Sequence, residues 1–524
     1  MKAIDLTRKP PGYVVAALVC SLGGFLFGMD TGIIGPVTVM EDFKRYVGTP
    51  SPTIHGLIVS SILIPAAISS FFAGRLADIL GRSRSIATGA FIFGLGCALE
   101  AGAVHIGMFV VGRVVEGIGE GLYLGTLVVY TCEISPPRDR GRLTTAPQLL
   151  ITVGLMTGFF TCYGTEKINS SFSWRLPFLL LAAYAFAFTA AAFFWLPPSP
   201  RWLSLHRRTD EAEKTWERLD VPAADREKIL GQMDVSVVEG AALHNNQGSD
   251  TLSLTTSNNI EARRTAPESK KMQLLDVFSP DARPRLFLAV FLMGMQQLSG
   301  IDGVLYYAPL LFQQAGLDSN KATFLASGVS AIVIFTVTIP ATLYADQWGR
   351  RITTVLGGLG MAATMFLMGG LYAGGAVDEG RGAGRWIVIV CIYLFAVIFS
   401  ISWAICVKLY TAEIQPQRTR ASATSMAHGS NWISNFLVAL CTPALLANSS
   451  YGAYFLFGSC TLLTAIVAAV FMPETRGKSL DEIDMAFRAR SPMQEWGKVK
   501  GMLSWKWRKM VLTDEVEMNH DQIA

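Results

Sequence analysis

Gln296-Gln297-Leu298-Ser299-Gly300-Ile301-Asp302-Gly303-Val304-Leu305-Tyr306-Tyr307-Ala308-Pro309 is the stretch on which the reading of this chain turns. It sits inside an apolar run from about Leu286 to Phe312, long enough to cross a bilayer. Two adjacent amides, a serine, an aspartate and two tyrosines are costly to hold there. Polar groups at membrane depth face a bundle interior or a wet cavity and usually mark a substrate path. Amides and hydroxyls beside aromatic rings suit a sugar, which offers hydroxyls to bond and C–H faces to stack. The plainer alternative is that one or two of these residues bond helix to helix.

Composition points the same way. Of 524 residues, 51% are hydrophobic and only 16% charged, against about a quarter charged in an ordinary soluble domain. Apolar stretches long enough to span recur along nearly the whole chain. A net charge of +4 is too small to argue for nucleic acid. The eight cysteines lie in or beside apolar stretches, without a CxxC pair, and read as small buried hydrophobes. His55, His105, His206, His244 and His520 form no metal-ligand spacing, and His428 stands alone on an apolar helix. No phosphate loop, nucleotide motif or nucleophile–base pair appears, so neither ATP-driven transport nor catalysis is expected, and no cofactor or metal.

Outward from the opening string, twelve spans can be laid down, at about 14–34, 53–73, 84–104, 108–131, 144–164, 175–196, 285–312, 321–344, 352–374, 386–412, 421–446 and 451–472. The first is read as a span because no cleavage-site pattern follows it. Arginine and lysine crowd the N-terminus and alternate loops, at Arg75, Arg82 and Arg84, then Arg138, Arg140 and Arg142, and again at Arg350, Arg351, Arg418 and Arg420. By the positive-inside rule both termini and the long central loop are cytoplasmic. Asn169-Ser170-Ser171 and Asn448-Ser449-Ser450 are glycosylation patterns on expected outside loops.

The expected organisation is a cytoplasmic N-terminus at 1–13, a six-helix bundle at 14–197, a cytoplasmic loop at 198–284, a second six-helix bundle at 285–472 and a cytoplasmic tail at 473–524. In the loop, Asp210–Gln232 reads as short amphipathic helices. Ser236 to Lys271, rich in Ser, Thr, Asn and Gly, reads as disordered. The tail segment Lys498–Arg508 mixes basic residues with Trp505 and Trp507, suited either to the inner leaflet or to solvent.

The two halves repeat. Asp78 and Arg82 after span 2 answer Asp346 and Arg350 after span 8. Glu133, with Arg140 seven residues on, answers Glu413, with Arg420 seven residues on. Such a repeat points to two like bundles rocking about a central site. The matched charges are expected to form inner salt bridges that tie the bundles; setting topology is the plainer alternative.

These motifs resemble the sugar porter family of the major facilitator superfamily, of the fungal sugar/proton symporter type, from about Gly12 to Asp484. The resemblance is carried by Gly24-Phe25-Leu26-Phe27-Gly28-Met29-Asp30-Thr31-Gly32, the Asp78 and Asp346 motifs and Gly112-Arg113. Pro198-Ser199-Pro200-Arg201-Trp202-Leu203, the Gln296 string and Pro473-Glu474-Thr475-Arg476-Gly477-Lys478 complete the family order. It implies an all-α membrane protein of the major facilitator fold, twelve transmembrane helices in two six-helix bundles, seated in the lipid bilayer, expectedly at the plasma membrane. It also implies a central cavity for a sugar or polyol, with a proton as coupling ion. Gln296, Gln297, Tyr306, Tyr307 and Asn435 match positions that bind or gate sugar in the family, as does Gln148 in span 5. Asn431-Trp432 matches its Asn-Trp pair, with Trp432 as a stacking face. A facilitator, an exporter of a polyhydroxylated metabolite or sugar acid, and a non-transporting sugar sensor are the alternatives.

Proton symporters of the family carry Asp where Asp30 stands and facilitators tend to carry Asn, so the resemblance implies coupling through Asp30 and Arg113. Burial favours the protonated form of a carboxyl and a neighbouring arginine the ionised form. A change in that pairing during rocking links proton and substrate movement. A static Asp30–Arg113 pair is the alternative. Glu116 and Glu120 share the face of Arg113 at i+3 and i+7, with Glu120 the expected local partner.

The chain also departs from the family. Asp302 stands for the usual Asn of span 7, Pro147-Gln148 for Asn-Gln of span 5 and Ile334 for a frequent sugar-binding Asn of span 8. In span 10, Ala404-Ile405-Cys406-Val407-Lys408 replaces Gly-Pro-x-Pro-Trp. Losing both prolines should leave span 10 straight. Lys408 and Asp302 are ionisable at membrane depth and each needs a partner. They neutralise each other, or Lys408 extends to the inner surface along its stem, or Lys408 meets a carboxylate substrate.

Overall fold

The computed structural model describes residues 10–48, 51–136, 139–223, 225–226, 276–280, 282–317, 320–344, 347–377, 382–416, 419–476, 485 and 487. Ser236–Lys271, Lys498–Arg508 and Asp346 lie outside them, as do the side chains of Arg140 and Arg420. Among the described residues there is helix and no strand. In hydrocarbon a helix meets its own backbone hydrogen bonds, and the apolar runs leave no other solution.

The first half holds α1 (Gly12–Val39), α2 (Glu41–Val47), α3 (Pro52–Ser60), α4 (Leu63–Leu80), α5 (Arg82–Ala101), α6 (Ile106–Ile134), α7 (Arg140–Thr165) and α8 (Phe172–Phe194). Two short helices follow, α9 (Pro200–Leu205) and α10 (Thr209–Leu219). The second half holds α11 (Arg283–Leu298), α12 (Ile301–Tyr306), α13 (Ala308–Gln314), α14 (Asn320–Tyr344), α15 (Arg350–Ala373), α16 (Ala383–Ile401), α17 (Trp403–Glu413), α18 (Arg420–Asn448) and α19 (Gly452–Phe471). Joining α3 to α4, α11 through α13, and α16 to α17 recovers twelve spans. Ten are long and apolar enough to cross a membrane by length and composition. The other two are α5 and α6, whose apolar runs are diluted by Arg82, Arg84 and Glu100 and by Arg113, Glu116, Glu120 and Glu133.

Breaks in the spans have local causes. Gly300 sits at φ 88, where a side chain is strained, and ends α11 before the chain resumes as α12. Pro309 opens α13 at its first turn, where a missing N–H costs nothing. Span 10 is not straight, although it has lost both prolines. It breaks at Ser402, with φ −107 and ψ −76. Ser402 Oγ bonds back to the Ile398 carbonyl at 2.5 Å, a pattern that bends helices. The Trp403 indole then donates to the Thr354 carbonyl at 2.8 Å, pinning the bend to α15.

α1 and α7 pack backbone to backbone. A Cβ on Gly24, Gly28 or Gly32 would stand 2.5, 1.9 or 2.4 Å from the carbonyl oxygens of Pro147, Ile151 and Leu155. One on Gly154 or Gly158 would meet the carbonyls of Phe25 and Met29 at 2.3 and 2.6 Å. Small residues at four-residue spacing are how membrane helices approach this closely. Each half has its own apolar core, the first around Phe93, Phe109, Trp174 and Phe178, the second around Phe312, Met361, Met365 and Phe395. The halves also touch closely away from the arginine-bearing loops. There a Cβ on Gly35 would meet the Tyr306 carbonyl at 2.0 Å, and one on Gly56 the Leu440 carbonyl at 2.2 Å.

At the arginine-bearing end, α10 is the amphipathic helix expected within Asp210–Gln232. It buries Trp216 and Leu219 while Arg218 donates to the Trp195 carbonyl at 3.1 Å.

Candidate functional site

α1 carries Asp30 and α6 carries Arg113, and the close α1 packing brings them together in the first half. Arg113 Nη1 donates to Asp30 Oδ1 at 2.5 Å and to Glu116 Oε2 at 2.9 Å, and Glu100 Oε2 lies 3.9 Å away. All four side chains are at most 5% exposed. Arg113 Nη2 reaches the Val59 carbonyl at 3.4 Å, and the Cys97 thiol donates to Glu116 Oε1 at 3.1 Å. Glu116, not Glu120, is thus the bonded neighbour on α6. Glu120 lies a turn further on, buried, with Oε1 lacking a donor. One guanidinium therefore faces four buried carboxyls. Glu116 was legible from its i+3 spacing; nothing in the sequence marks Glu100, which arrives from α5.

Within the second half, the opening string meets α18. Gln296 is buried: Nε2 donates to the Trp403 carbonyl at 2.7 Å and Oε1 accepts from Asn431 Nδ2 at 3.2 Å. Asn431 also donates to the Met293 carbonyl at 2.9 Å. Gln297 Nε2 donates to Asn431 Oδ1 at 3.1 Å, while its own Oε1 has no donor. Asn435 Nδ2 reaches Tyr306 Oη at 3.5 Å, and its Oδ1 has no donor either. Tyr307 is buried, its hydroxyl donated to the Ala439 carbonyl at 2.6 Å and its ring edge-on to His55 at 5.3 Å. Gln296 is thus filled by the Trp403 carbonyl and the Asn431 amide and Tyr307 by a backbone carbonyl, whereas Gln297 and Asn435 keep buried acceptors without donors.

The opposite wall comes from both halves. Trp432 on α18 stands edge-on to Phe27 of α1 at 6.2 Å. Lys408 on α17 is accessible, and its ammonium donates across the seam to Gln148 Oε1 on α7 at 3.3 Å. Asp302 is half-buried, and Lys408 is its electrostatic neighbour. Phe27 and Asp30 share α1, so the helix that meets Trp432 also carries the Arg113 contact.

The repeated charges meet at the arginine-bearing end of each half. Arg82 bonds Asp78 Oδ1 at 3.0 Å and Glu133 at 3.1 Å. Arg350 bonds Glu413 Oε1 at 3.2 Å. Each of these pairs joins helix ends of one half. The motif after each sixth span completes the corner: Trp202 Nε1 donates to the Asp78 carbonyl at 2.9 Å, while Glu474 accepts from the Arg350 and Arg351 amides at 2.7 and 3.1 Å. Asn169 and Asn448 lie at the other end, Asn448 donating to the Ala444 carbonyl at 2.9 Å.

Two six-helix halves built on one repeated pattern, with polar and aromatic side chains meeting across their seam and a buried ion cluster in the first half, define a membrane transporter of the major facilitator fold. Comparison with known proteins supports the class. The family model for sugar (and other) transporters matches residues 16–487. The MFS-type transporter criB of Aspergillus cristatus is 30% identical over 90% of this chain and 92% of its own. A high-affinity glucose transporter of Kluyveromyces lactis is 28% identical over 90% and 84%. Among solved structures, the proton:xylose symporter XylE bound to 6-bromo-6-deoxy-D-glucose superposes with a TM-score of 0.71 at 24% identity, covering 91% of this chain and 99% of that one. This chain belongs to the sugar (and other) transporter family.

Proposed function

We propose that the chain carries a monosaccharide or related polyol across the membrane together with a proton, by alternating access of the space between its halves. The observation that carries this reading is the buried Arg113 contact with Asp30 on α1, the helix whose Phe27 meets Trp432 of the second half. A carboxyl that gains and loses its guanidinium partner when substrate binding shifts α1 within the first half gives a proton a reason to travel with substrate. The open acceptors of Gln297 and Asn435, with the Trp432 face, supply the hydroxyl-binding and stacking surface. The relatives point the same way: two of them are named for glucose and for xylose with a proton.

The proposed architecture is two rocking bundles, 14–197 and 285–472, with both termini on the arginine-bearing, cytoplasmic side. The proposed location is the plasma membrane. The ion pairs of Arg82 and Arg350, each within one half, then brace the inner corner of that half as it rocks; among the described residues they do not tie the bundles to each other as the repeat had suggested. The test is reconstitution in liposomes with labelled D-glucose, D-xylose and xylitol, with and without an inward proton gradient. Asp30→Asn should abolish accumulation against a gradient while sugar exchange persists. Equal accumulation by the variant and the parent protein refutes the coupling.

A further inference from the structure

Lys408 poses a question that transport of neutral sugar does not answer. Its side chain is accessible in the space between the halves, yet its ammonium has one hydrogen bond, to Gln148 Oε1 at 3.3 Å. An ammonium has three donors. Among the described residues no carboxylate lies within the 4.0 Å of an ion pair with it. The charged or titratable groups that face it are Asp302 from α12 and His428 from α18. Asp302 balances the charge electrostatically without filling the remaining donors. Nor does the stem carry the charge out to the aqueous end, because Nζ turns across the seam to α7.

The other side of the same space has the complementary lack. Gln297 Oε1 and Asn435 Oδ1 are buried acceptors without donors. Asp302 has both Lys408 and Gln297 as neighbours, which links the two sides. Hydroxyl groups satisfy the amide oxygens, and a carboxylate satisfies the ammonium. A neutral hexose would meet the first need only.

We propose that this chamber takes polyhydroxylated carboxylates, such as six-carbon aldonates or uronates, with Lys408 and Gln148 holding the carboxylate and Gln297 and Asn435 the hydroxyls. The assignment rests on the transport reading above and narrows its substrate class. Asp302 acts as the selectivity counterweight, repelling the anion from one side of Lys408.

The test uses the full chain in liposomes with labelled D-gluconate, D-glucuronate and D-glucose, read as the ratio of acid to glucose uptake. The parent protein should carry at least one acid in preference to glucose, and that acid should raise its Tm in detergent. Lys408→Met should lower the ratio at least about tenfold, the scale of one charge-assisted hydrogen bond, and lose the Tm response. Lys408→Arg should retain the preference, and Asp302→Asn should raise it. A parent protein that carries D-glucose but ignores both acids overturns this assignment alone, as does an unchanged ratio in Lys408→Met. A parent protein that carries none of these compounds, nor any other sugar or polyol, overturns the transport reading along with it.

Discussion

Gly28 on α1 should not tolerate even a methyl group. A Cβ there would stand 1.9 Å from the Ile151 carbonyl oxygen, with Ile151 backbone carbon atoms at 2.7 and 2.9 Å. Ordinary contact begins at 3.4 Å, so the helices must part by about 1.5 Å at this level. Backbone is what the methyl meets, and no rotamer change relieves it. Overpacking of this kind costs about 1–3 kcal/mol. At about 2–4 °C per kcal/mol for chains of a few hundred residues, Gly28→Ala should lower the Tm of the purified protein by about 2–12 °C. The functional effect should exceed the loss of stability. Asp30 is two residues on, and its 2.5 Å contact with Arg113 becomes a gap if α1 moves by that amount. Misplacement on the scale of 1 Å costs function disproportionately. Proton-driven uptake in liposomes, corrected for folded protein, should therefore fall further than the amount of folded transporter. Gly125→Ala on α6 and Gly164→Ala on α7 are the controls, since nothing lies within 4 Å of a Cβ at either. If Gly28→Ala matches those controls in both Tm and uptake, close packing of α1 on α7 does not position the proton site.

Arg113→Met should reduce the yield of folded protein severely, because it leaves Asp30, Glu100 and Glu116 without their shared cation; breaking a buried pair typically costs about 3–5 kcal/mol, and size-exclusion chromatography of the detergent extract would show it. Gln297→Ala and Asn435→Ala should each raise the KM for substrate about 5- to 150-fold, as expected for a hydrogen bond of about 1–3 kcal/mol, with Tm nearly unchanged. Gln296→Ala should instead lower Tm, since its amide braces Trp403 and Asn431. A reversed pattern between the two glutamines would show that their roles here are exchanged.

Much of the architecture was legible because the bilayer restricts what a chain can do. Apolar run length placed the spans, including the two that are diluted by charged residues. Matched charges at Arg82 and Arg350 identified the corresponding corners of the two halves. Contacts were less legible. Helical spacing put Glu116 and Glu120 on one face with Arg113, yet only rotamer and depth decide which of them bonds it. Glu100 comes from another helix, and no spacing rule connects it. Loss of proline led to the expectation of a straight span 10, but Ser402 and the Trp403 indole bend it through contacts with Ile398 and Thr354.

Sequence by itself determined the number of spans, their pairing into halves and the family, because each follows from local hydrophobicity and from motifs contiguous in the chain. Tertiary structure decided which polar groups are spent and which are open. Gln296 and Gln297 are adjacent in the chain, but one is filled by the Trp403 carbonyl and the other keeps a free acceptor. Lys408 and Asp302 had three possible fates, and packing left the ammonium with Gln148 instead of an ion pair. A hydrogen bond depends on direction and on distance within a few tenths of an ångström, and those are set by helices remote in sequence.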